Sequence, residues 1–372
     1  MNRYYNPVRT LEGPGCLRQL PQVLEEMTLP QRKVLVLAWS QQALEHPAVA
    51  ALLGKESGVE AKSLVFTASN PTVEQLFQVW RETTAFAPEV VVAIGGGSVL
   101  DVGKSLCCLY GRELESLQAL REAITDGKLH PAAQWIGVPT TAGTGSEVTC
   151  WATIWDPEQN CKRSLESQEN YAYAALVDPE LAQGMPVQLA VSSALMLPPM
   201  RWSYWANPQC CVRGLALEAI VTVMGELTAC WKMPRRPRSH GPRQPAGRAG
   251  IYNTKTTACH SISYPLTMRY HIPHGTAVAL LLAPVLELNA PAVPGLDRLF
   301  HALGVEDAAG LHARVRDLLE RSGQSSTLQG WGVRQEDLPR LAALGMTKGR
   351  ADNNPVALDS GTIETLLRSI YE

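Results

Sequence analysis

The chain has 372 residues, of which 45% are hydrophobic and 18% charged, and its formal net charge at pH 7 is -2. This composition predicts a soluble globular protein, and the length favours two domains. The small net charge excludes a general attraction to nucleic acid or to an anionic membrane, and no apolar run is long enough to span a bilayer. Nine cysteines without C-x-x-C spacing, in a sequence without a signal peptide, predict reduced thiols in the cytoplasm.

The first half of the chain alternates between strand and helix patterns. Apolar runs predict strands over 33–39, 61–66, 90–94 and 134–138, and amphipathic spacing predicts helices over 17–27, 41–53, 75–85 and 99–109. Such alternation is typical of a parallel sheet with helices on its faces and ligands at the carboxyl ends of its strands. From residue 181 the pattern is helical, with helices predicted over 277–288, 296–303, 308–322, 335–344 and 362–371.

Three glycines, Gly95, Gly96 and Gly97, directly follow the strand over 90–94 and precede the helix over 99–109. A strand, a glycine turn and a helix can hold a phosphate, because glycine lets the backbone approach and the helix N-terminus offers N–H groups. Ser98 adds a hydroxyl expected at the cap position. The pattern is not G-x-G-x-x-G, and an ordinary strand-to-helix turn is the alternative.

Two further polar segments follow predicted strands. Asn70 belongs to an Asn-Pro-Thr turn before the helix over 75–85, and we expect it to face the same crevice as the glycine turn. The loop over 139–148 is dense in hydroxyls and glycines. Such a loop can hydrogen-bond a ribose, an amide or a phosphate, and a solvated turn is the alternative.

From about Tyr5 to the C-terminus, the chain resembles the iron-containing (group III) alcohol dehydrogenases. The resemblance is carried in order by Asn70-Pro71-Thr72, Gly95-Gly96-Gly97-Ser98-x-x-Asp101, the loop Pro139–Glu147, Val177-Asp178-Pro179-Glu180 and Asp352-Asn353-Asn354-Pro355. It implies a dehydroquinate synthase-like architecture: an α/β nicotinamide-cofactor-binding domain over 1–180 and an all-α metal and substrate domain over 181–372. The resemblance places the active site in the cleft between them.

The same resemblance implies which residues bind the cofactor, NAD or NADP. It assigns the pyrophosphate to the glycine turn and the rest of the cofactor to neighbouring loops, in all through Asn70, Gly95, Gly96, Gly97, Ser98, Asp101, Thr140, Thr141 and Lys162. Trp39 stands where many members carry an aspartate that binds the adenosine ribose. Because no carboxylate repels a 2′-phosphate there, the choice between NAD and NADP stays open.

The family holds its metal through an aspartate and a histidine four residues apart on one helix, and through two later histidines. His260 and His274 match the later pair, whereas Met196 and Met200 occupy the first two positions. The implied ion is Fe(II), with Zn(II) as the alternative, and it acts as a Lewis acid on the substrate oxygen. Tyr264 replaces a second active-site histidine of several members, and either proton relay or packing is open to its phenol.

Codon degeneracy offers an explanation for the missing ligands. Met196, Met200 and Trp202 have one codon each, which fixes much of the DNA. One added G before the Met196 codon changes residues 196–203 to Asp-Ala-x-x-(His, Asn, Asp or Tyr)-Ala-(Leu, Met or Val)-Glu, the pattern of the family's metal helix. Residues 232–250 carry four prolines and five arginines, and a one-base shift permits an amphipathic helix there. We expect both stretches to be frame-shifted; a basic, disordered loop is the alternative for the second.

The function implied is hydride transfer between a nicotinamide and a small alcohol or aldehyde, by a homodimer as is the family's habit. Residues 149–156 and 4–8 look most like those of phosphonoacetaldehyde reductases, which would place the chain in phosphonate metabolism. Lys162, Arg163 and Arg269 are candidate cations for a phosphonate. Alternatives are a catalytically impaired nucleotide-binding relative, the product of a damaged gene and, less favoured by the loop over 139–147, a dehydroquinate synthase.

Overall fold

The computed structural model describes residues 5–141, 143–159, 161–196, 217–218, 220–227, 258–293, 295–346, 351 and 354–372. These residues form two compact units. The first consists of Asn6–Thr141 and Gly145–Gln183, and the second of Gly184–Glu372 together with Tyr5, Gly143 and Thr144. Residues 197–203, which include the Met200 position, and the basic stretch 232–250 lie outside the described residues.

The first unit contains a six-stranded sheet in the order β1-β8-β5-β4-β2-β3, with every neighbouring pair parallel. Its strands are β1 (Arg9–Glu12), β2 (Lys33–Ala38), β3 (Glu60–Val65), β4 (Val90–Gly95), β5 (Gln134–Pro139) and β8 (Ala174–Val177). The central strand β4 is buried along its whole length, as a β-branched run covered on both faces should be. The predicted parallel α/β domain is confirmed.

Helices follow most of these strands: α1 (Leu20–Glu25), α2 (Gln41–Leu44), α3 (Pro47–Leu53), α4 (Val73–Thr83), α5 (Gly97–Leu109) and α6 (Leu117–Asp126). The prediction of one helix over 41–53 is wrong. The chain breaks at His46, whose ring accepts the N–H of Ala48, and restarts with Pro47 in the first helical position. Proline has no N–H to continue the preceding helix, but its fixed φ suits a helix start.

The predictions also missed an antiparallel hairpin, formed by β6 (Trp151–Asp156) and β7 (Cys161–Glu166). The hairpin lies outside the six-stranded sheet and touches the Asn70 turn. The N–H of Trp155 donates to the carbonyl of Pro71 at 2.7 Å, and Thr72 forms an isolated parallel bridge with Trp155. The hairpin therefore supports one of the segments that the sequence assigns to the cofactor.

The regular elements described in the second unit are helical, as predicted. They are α7 (Val187–Leu195), α8 (Ala258–Tyr270), α9 (His274–Leu280), α10 (Leu282–Asn289), α11 (Leu296–Leu303), α12 (Ala308–Arg321), α13 (Leu338–Leu344) and α14 (Ser360–Ser369), with a further helical stretch over 220–227. The single helix predicted over 277–288 is divided at Leu281. By length and composition no single described helix qualifies as a membrane span, although the bent pair His274–Leu280 and Leu282–Ala292 does so when taken together.

Candidate functional site

In the first unit, the predicted cofactor residues meet at the carboxyl ends of β4 and β5. The N–H of Thr140 donates to the carbonyl of Gly95 at 3.0 Å. A Cβ on Gly96 would lie 3.2 Å from Oγ1 of Thr141, so the glycine turn and the hydroxyl-rich loop are in contact. A Cβ on Gly95 would lie 2.6 Å from the Val99 side chain, which makes glycine a packing requirement there. Carboxyl strand ends are the usual ligand sites of parallel sheets.

The start of α5 differs from the prediction in one detail. Gly96, not Ser98, is the N-cap residue, and no side chain caps the helix. Ser98 lies in the first turn, where its Oγ accepts the N–H of Asn70 at 3.1 Å. Asn70 has a φ of 54°, a left-handed conformation that asparagine tolerates better than most residues. Ser98 therefore holds the Asn70 turn beside the glycine turn.

The remaining predicted cofactor residues have partners within the same unit. Lys162 lies on β7, with its Nζ 3.8 Å from the centroid of the Trp155 ring, a cation–π distance. Asp101 points towards Ser146 and the hairpin, with its Oδ1 2.6 Å from Oγ of Ser146. Trp39 is 44% exposed at the end of β2, and its N–H donates to the carbonyl of Ile94 at 2.9 Å.

In the second unit, the structure brings His260 and His274 together. His260 lies in the first turn of α8 and is 4% exposed, and His274 is the first residue of α9. Their ring centroids are 5.6 Å apart at an interplanar angle of 70°. The ring of Tyr264 stacks on His274 at 5.7 Å, so its observed contact is packing.

Ser263, which the sequence reasoning missed, orients His274. Its Oγ donates to the carbonyl of His260 at 3.0 Å and lies 3.3 Å from Nδ1 of His274. When the single hydrogen of the Ser263 hydroxyl goes to the carbonyl of His260, Nδ1 of His274 is the donor to Oγ, and the lone pair of His274 lies on Nε2. Fixing the tautomer in this way is what a second-layer hydrogen bond does for a metal-binding imidazole.

The helix that should supply the other ligands also packs here. A Cβ on Gly275 would lie 2.1 Å from the carbonyl oxygen of Ser192, so the end of α7 is in contact with the start of α9. Met196 follows directly as the C-cap residue and is buried. The described residues therefore offer two imidazoles and a thioether. This donor set does not fit Fe(II), which prefers imidazole and carboxylate ligands.

In the part of the chain that the structure describes, no other metal site replaces the incomplete one at His260 and His274. The one group of three potential ligands found there is Glu74, Asp156 and Glu158, in the first unit. The guanidinium of Arg121 lies within 3.3 Å of all three carboxylates. An ion pair of this kind fills the space that a cation would need.

The three candidate cations for a phosphonate each have different surroundings. Nε of Arg163 is 2.7 Å from Oδ2 of Asp156, so this guanidinium is held in the buried ion-pair cluster around Arg121. Arg269 belongs to the second unit, where it lines a cavity of about 250 Å³ together with Arg334 and Arg340. Lys162 lies over the ring of Trp155, whose backbone N–H donates to Pro71 in the Asn70 turn.

Comparison with known proteins assigns the chain to a family. The family model "Iron-containing alcohol dehydrogenase" matches residues 7–179, and "Fe-containing alcohol dehydrogenase family, C-terminal" matches residues 211–371. The chain belongs to the iron-containing alcohol dehydrogenase family, and by family it is an oxidoreductase. The stretch 196–203 falls between the two matched regions.

Among curated relatives, a phosphonoacetaldehyde reductase from Streptomyces viridochromogenes is 31% identical over 320 residues, covering 80% of each chain. An NADPH-dependent butanol dehydrogenase from Clostridium saccharobutylicum is 25% identical over 100% of this chain and 98% of the relative. A solved sulfoacetaldehyde reductase from Bifidobacterium kashiwanohense, in complex with NAD⁺, superposes with a TM-score of 0.86 at 24% identity, covering 100% of this chain and 98% of the other. This likeness confirms the predicted fold.

Proposed function

We propose that the gene for this chain encodes a nicotinamide-dependent reductase of a small anionic aldehyde, namely phosphonoacetaldehyde. The similarity to the Streptomyces phosphonoacetaldehyde reductase, at 31% identity over 80% of both chains, is the observation that carries the substrate. A sulfoacetaldehyde reductase from Bilophila wadsworthia is 26% identical over 85% of both chains and acts on an aldehyde of related charge. The butanol dehydrogenase relative supports the broader class, reduction of aldehydes to alcohols.

The proposed cofactor is NAD(H) or NADP(H), bound by the first unit. The contact between the glycine turn and Thr140 and Thr141 supports this, because backbone N–H groups and hydroxyls lie together there. The hydrogen bond from the backbone N–H of Asn70 to Oγ of Ser98 supports it further, since it holds two predicted cofactor segments side by side. When bound, the reduced nicotinamide would supply a hydride to the aldehyde carbon, and solvent would supply the proton that completes the alcohol.

We further propose that the chain, as its sequence stands, is impaired because residues 196–203 are out of frame. Two imidazoles cannot hold Fe(II) or Zn(II) tightly, and the buried thioether of Met196 is a poor third ligand for either ion. The packing of the α7 end against α9 supports the frame-shift account, since the first family ligand would lie on a helix that reaches His274. The native ion proposed is iron, with zinc as the alternative.

A second candidate function is cofactor binding without turnover, by a decaying or repurposed relative. The burial of Met196 at the end of α7 favours it, because the position is occupied by a packed apolar side chain. This candidate and the first differ in what the gene itself encodes at Met196. Both proposals place the protein in the cytoplasm, and both expect a homodimer, which light scattering after gel filtration tests by a mass twice that of one chain.

The experiment compares the chain as it stands with a restored version. In the restored version residues 196–203 read Asp-Ala-Ala-Ala-His-Ala-Leu-Glu, and the eleven residues 240–250 are replaced by the ten residues Met-Ala-Arg-Ala-Ser-Leu-Leu-Ala-Gly-Arg. Each is supplied with Fe(II) or Zn(II), and oxidation of NADH and NADPH is followed with phosphonoacetaldehyde, acetaldehyde or butanal. The matched control is His274→Ala in the restored version.

We expect the restored protein to reduce phosphonoacetaldehyde about tenfold more efficiently than acetaldehyde, because a charge-assisted contact to the phosphonate is lost with the neutral aldehyde. The unrestored chain and the His274→Ala control should be about a thousandfold slower, the size expected for loss of several kcal/mol of transition-state stabilisation. Comparable rates from the unrestored chain would contradict the impaired-site account. Equal catalytic efficiency with all three aldehydes would contradict phosphonoacetaldehyde as the preferred substrate.

A further inference from the structure

Lys104, on α5, is completely buried. Its Nζ lies 2.6 Å from the carbonyl oxygen of Trp151, 3.0 Å from that of Ser146 and 3.0 Å from Oγ1 of Thr149. An ammonium has three N–H donors, so these three oxygens account for all of them. The chain from Ser146 to Trp151 therefore wraps around the ammonium, between the hydroxyl-rich loop and the start of β6.

Asp101 lies one helical turn before Lys104, and its Oδ1 is 3.2 Å from Nζ. The same oxygen accepts the hydroxyl of Ser146 at 2.6 Å, and Oδ2 accepts the N–H of Thr153 at 3.0 Å. Both carboxylate oxygens are thus occupied by protein donors of the loop and the hairpin.

One helix therefore anchors both halves of the proposed cofactor site. The N-terminus of α5 is the glycine turn, which holds the start of the loop through the hydrogen bond between Gly95 and Thr140. Asp101 and Lys104, from inside the same helix, hold the return of the loop at Ser146. The positions of the Ser146 and Thr149 hydroxyls relative to the glycine turn consequently depend on these two side chains.

The burial of an ammonium needs a physical reason. Taking a charge out of water is unfavourable unless its partners compensate, and an apolar side chain of similar volume often serves stability as well. Burial lowers the pKa of Lys104, and the neighbouring Asp101 carboxylate opposes that shift. What an apolar side chain cannot supply is a set of three directed bonds to the chain from Ser146 to Trp151.

We propose that Lys104, together with Asp101, is a positioning residue for the nicotinamide cofactor, fixing the chain from Ser146 to Trp151 beside the glycine turn. The inference rests on the proposed function, since it requires that the first unit bind a nicotinamide cofactor. It predicts that removing the ammonium weakens cofactor binding by more than the loss of fold stability explains.

The test uses the full chain as it stands and does not require turnover. NADH binding is measured by nicotinamide fluorescence, and the melting temperature by circular dichroism, for Lys104→Met and for the milder Asp101→Asn. The matched control is Arg121→Met, which removes the other buried cation of the same unit. Arg121 pairs with Asp156 at the opposite end of β6 from Trp151, so its loss leaves the loop anchors intact.

We expect Lys104→Met to weaken NADH binding by about tenfold, because three buried oxygens lose their donor, and Asp101→Asn to weaken it in the same direction. The Arg121→Met control should lower the melting temperature while its Kd stays within about twofold of the unsubstituted chain. If Lys104→Met does not fold, the Kd of Asp101→Asn for NADH tests the proposal instead.

Unchanged NADH binding by the folded variants would overturn the inference. Equal weakening by Arg121→Met at a similar melting temperature would also overturn it, because the effect would then be general destabilisation. Absence of NADH binding by the unsubstituted chain would contradict the proposed function itself and, with it, the inference.

Discussion

Replacing Gly275 by alanine should force apart two helices that carry metal-binding positions of the family. A Cβ there would lie 2.1 Å from the carbonyl oxygen of Ser192 and 2.6 Å from its carbon. Real Cβ contacts essentially never fall below 3.0 Å, so α7 and α9 must separate by about 0.9 Å. The obstacle is backbone, which cannot rotate away as a side chain would.

Overpacking of this kind typically costs about 1–3 kcal/mol, which corresponds to a fall of about 3–10 °C in melting temperature for a unit of this size. The matched control is Gly225→Ala, because Gly225 lies in the helical stretch over 220–227 with nothing within 4 Å of its Cβ position. Alanine should stabilise that helix by up to about 1 kcal/mol. Circular dichroism on the two variants and the unsubstituted chain gives the three temperatures.

The two substitutions add the same methyl group to helices of the same unit, so their difference isolates the contact with Ser192. A Gly275→Ala variant that melts at or above the temperature of the unsubstituted chain would refute the close approach of α7 to α9. An equal fall in Gly225→Ala would refute the contact as the cause. In the restored protein, the same Gly275→Ala variant should also bind Fe(II) more weakly.

Two further predictions concern the first unit. Trp39→Asp places a carboxylate beside the glycine turn, and its repulsion of the 2′-phosphate should raise the ratio of the NADPH Kd to the NADH Kd by about tenfold. The control Trp39→Asn should leave this ratio unchanged. A shift of equal size in both variants would exclude charge as the cause. Burial raises the pKa of Asp156, but the ion pairs with Arg121 and Arg163 outweigh it and hold the pKa below its ordinary value. The contribution of this carboxylate to stability is therefore present above the unfolded pKa of about 4 and is lost as the pH falls through the folded pKa. Asp156→Asn should lower the melting temperature by about 5–10 °C at pH 7, and the gap should narrow below about pH 4; a gap independent of pH would contradict the ion-pair account.

The sequence predicted best where one local rule decides the structure. The β-branched run of β4 followed by glycines predicted a buried strand and a helix start, and both occur. The break at Pro47 was visible in the sequence but was overridden by the apolar spacing on either side of it. The hairpin over 151–166 was missed, because its pairing depends on the register of two strands rather than on a turn signature.

The candidate site was predictable only in part. The rings of His260 and His274 come together because α8 packs against α9, and the spacing of the two residues along the chain does not require this. Only the family resemblance indicated that the two rings would be close. Lys104 gave a weak signal, since it lies one turn after Asp101 on a helix whose buried face is almost entirely apolar. Ser263 gave none, because a serine one turn after a histidine is common in helices that bind nothing.

The central claim is that the gene encodes a complete metal site and that the sequence as it stands misreads it. DNA sequencing of the source gene across codons 190 to 255 tests this most directly. The account predicts the codons GAT GCT at positions 196 and 197, a CAT codon at position 200, and an uninterrupted helix pattern before Ile251. Codons for Met196 and Met200 in an open frame would contradict it, and the chain would then be an inactive relative that has lost half of its metal ligands.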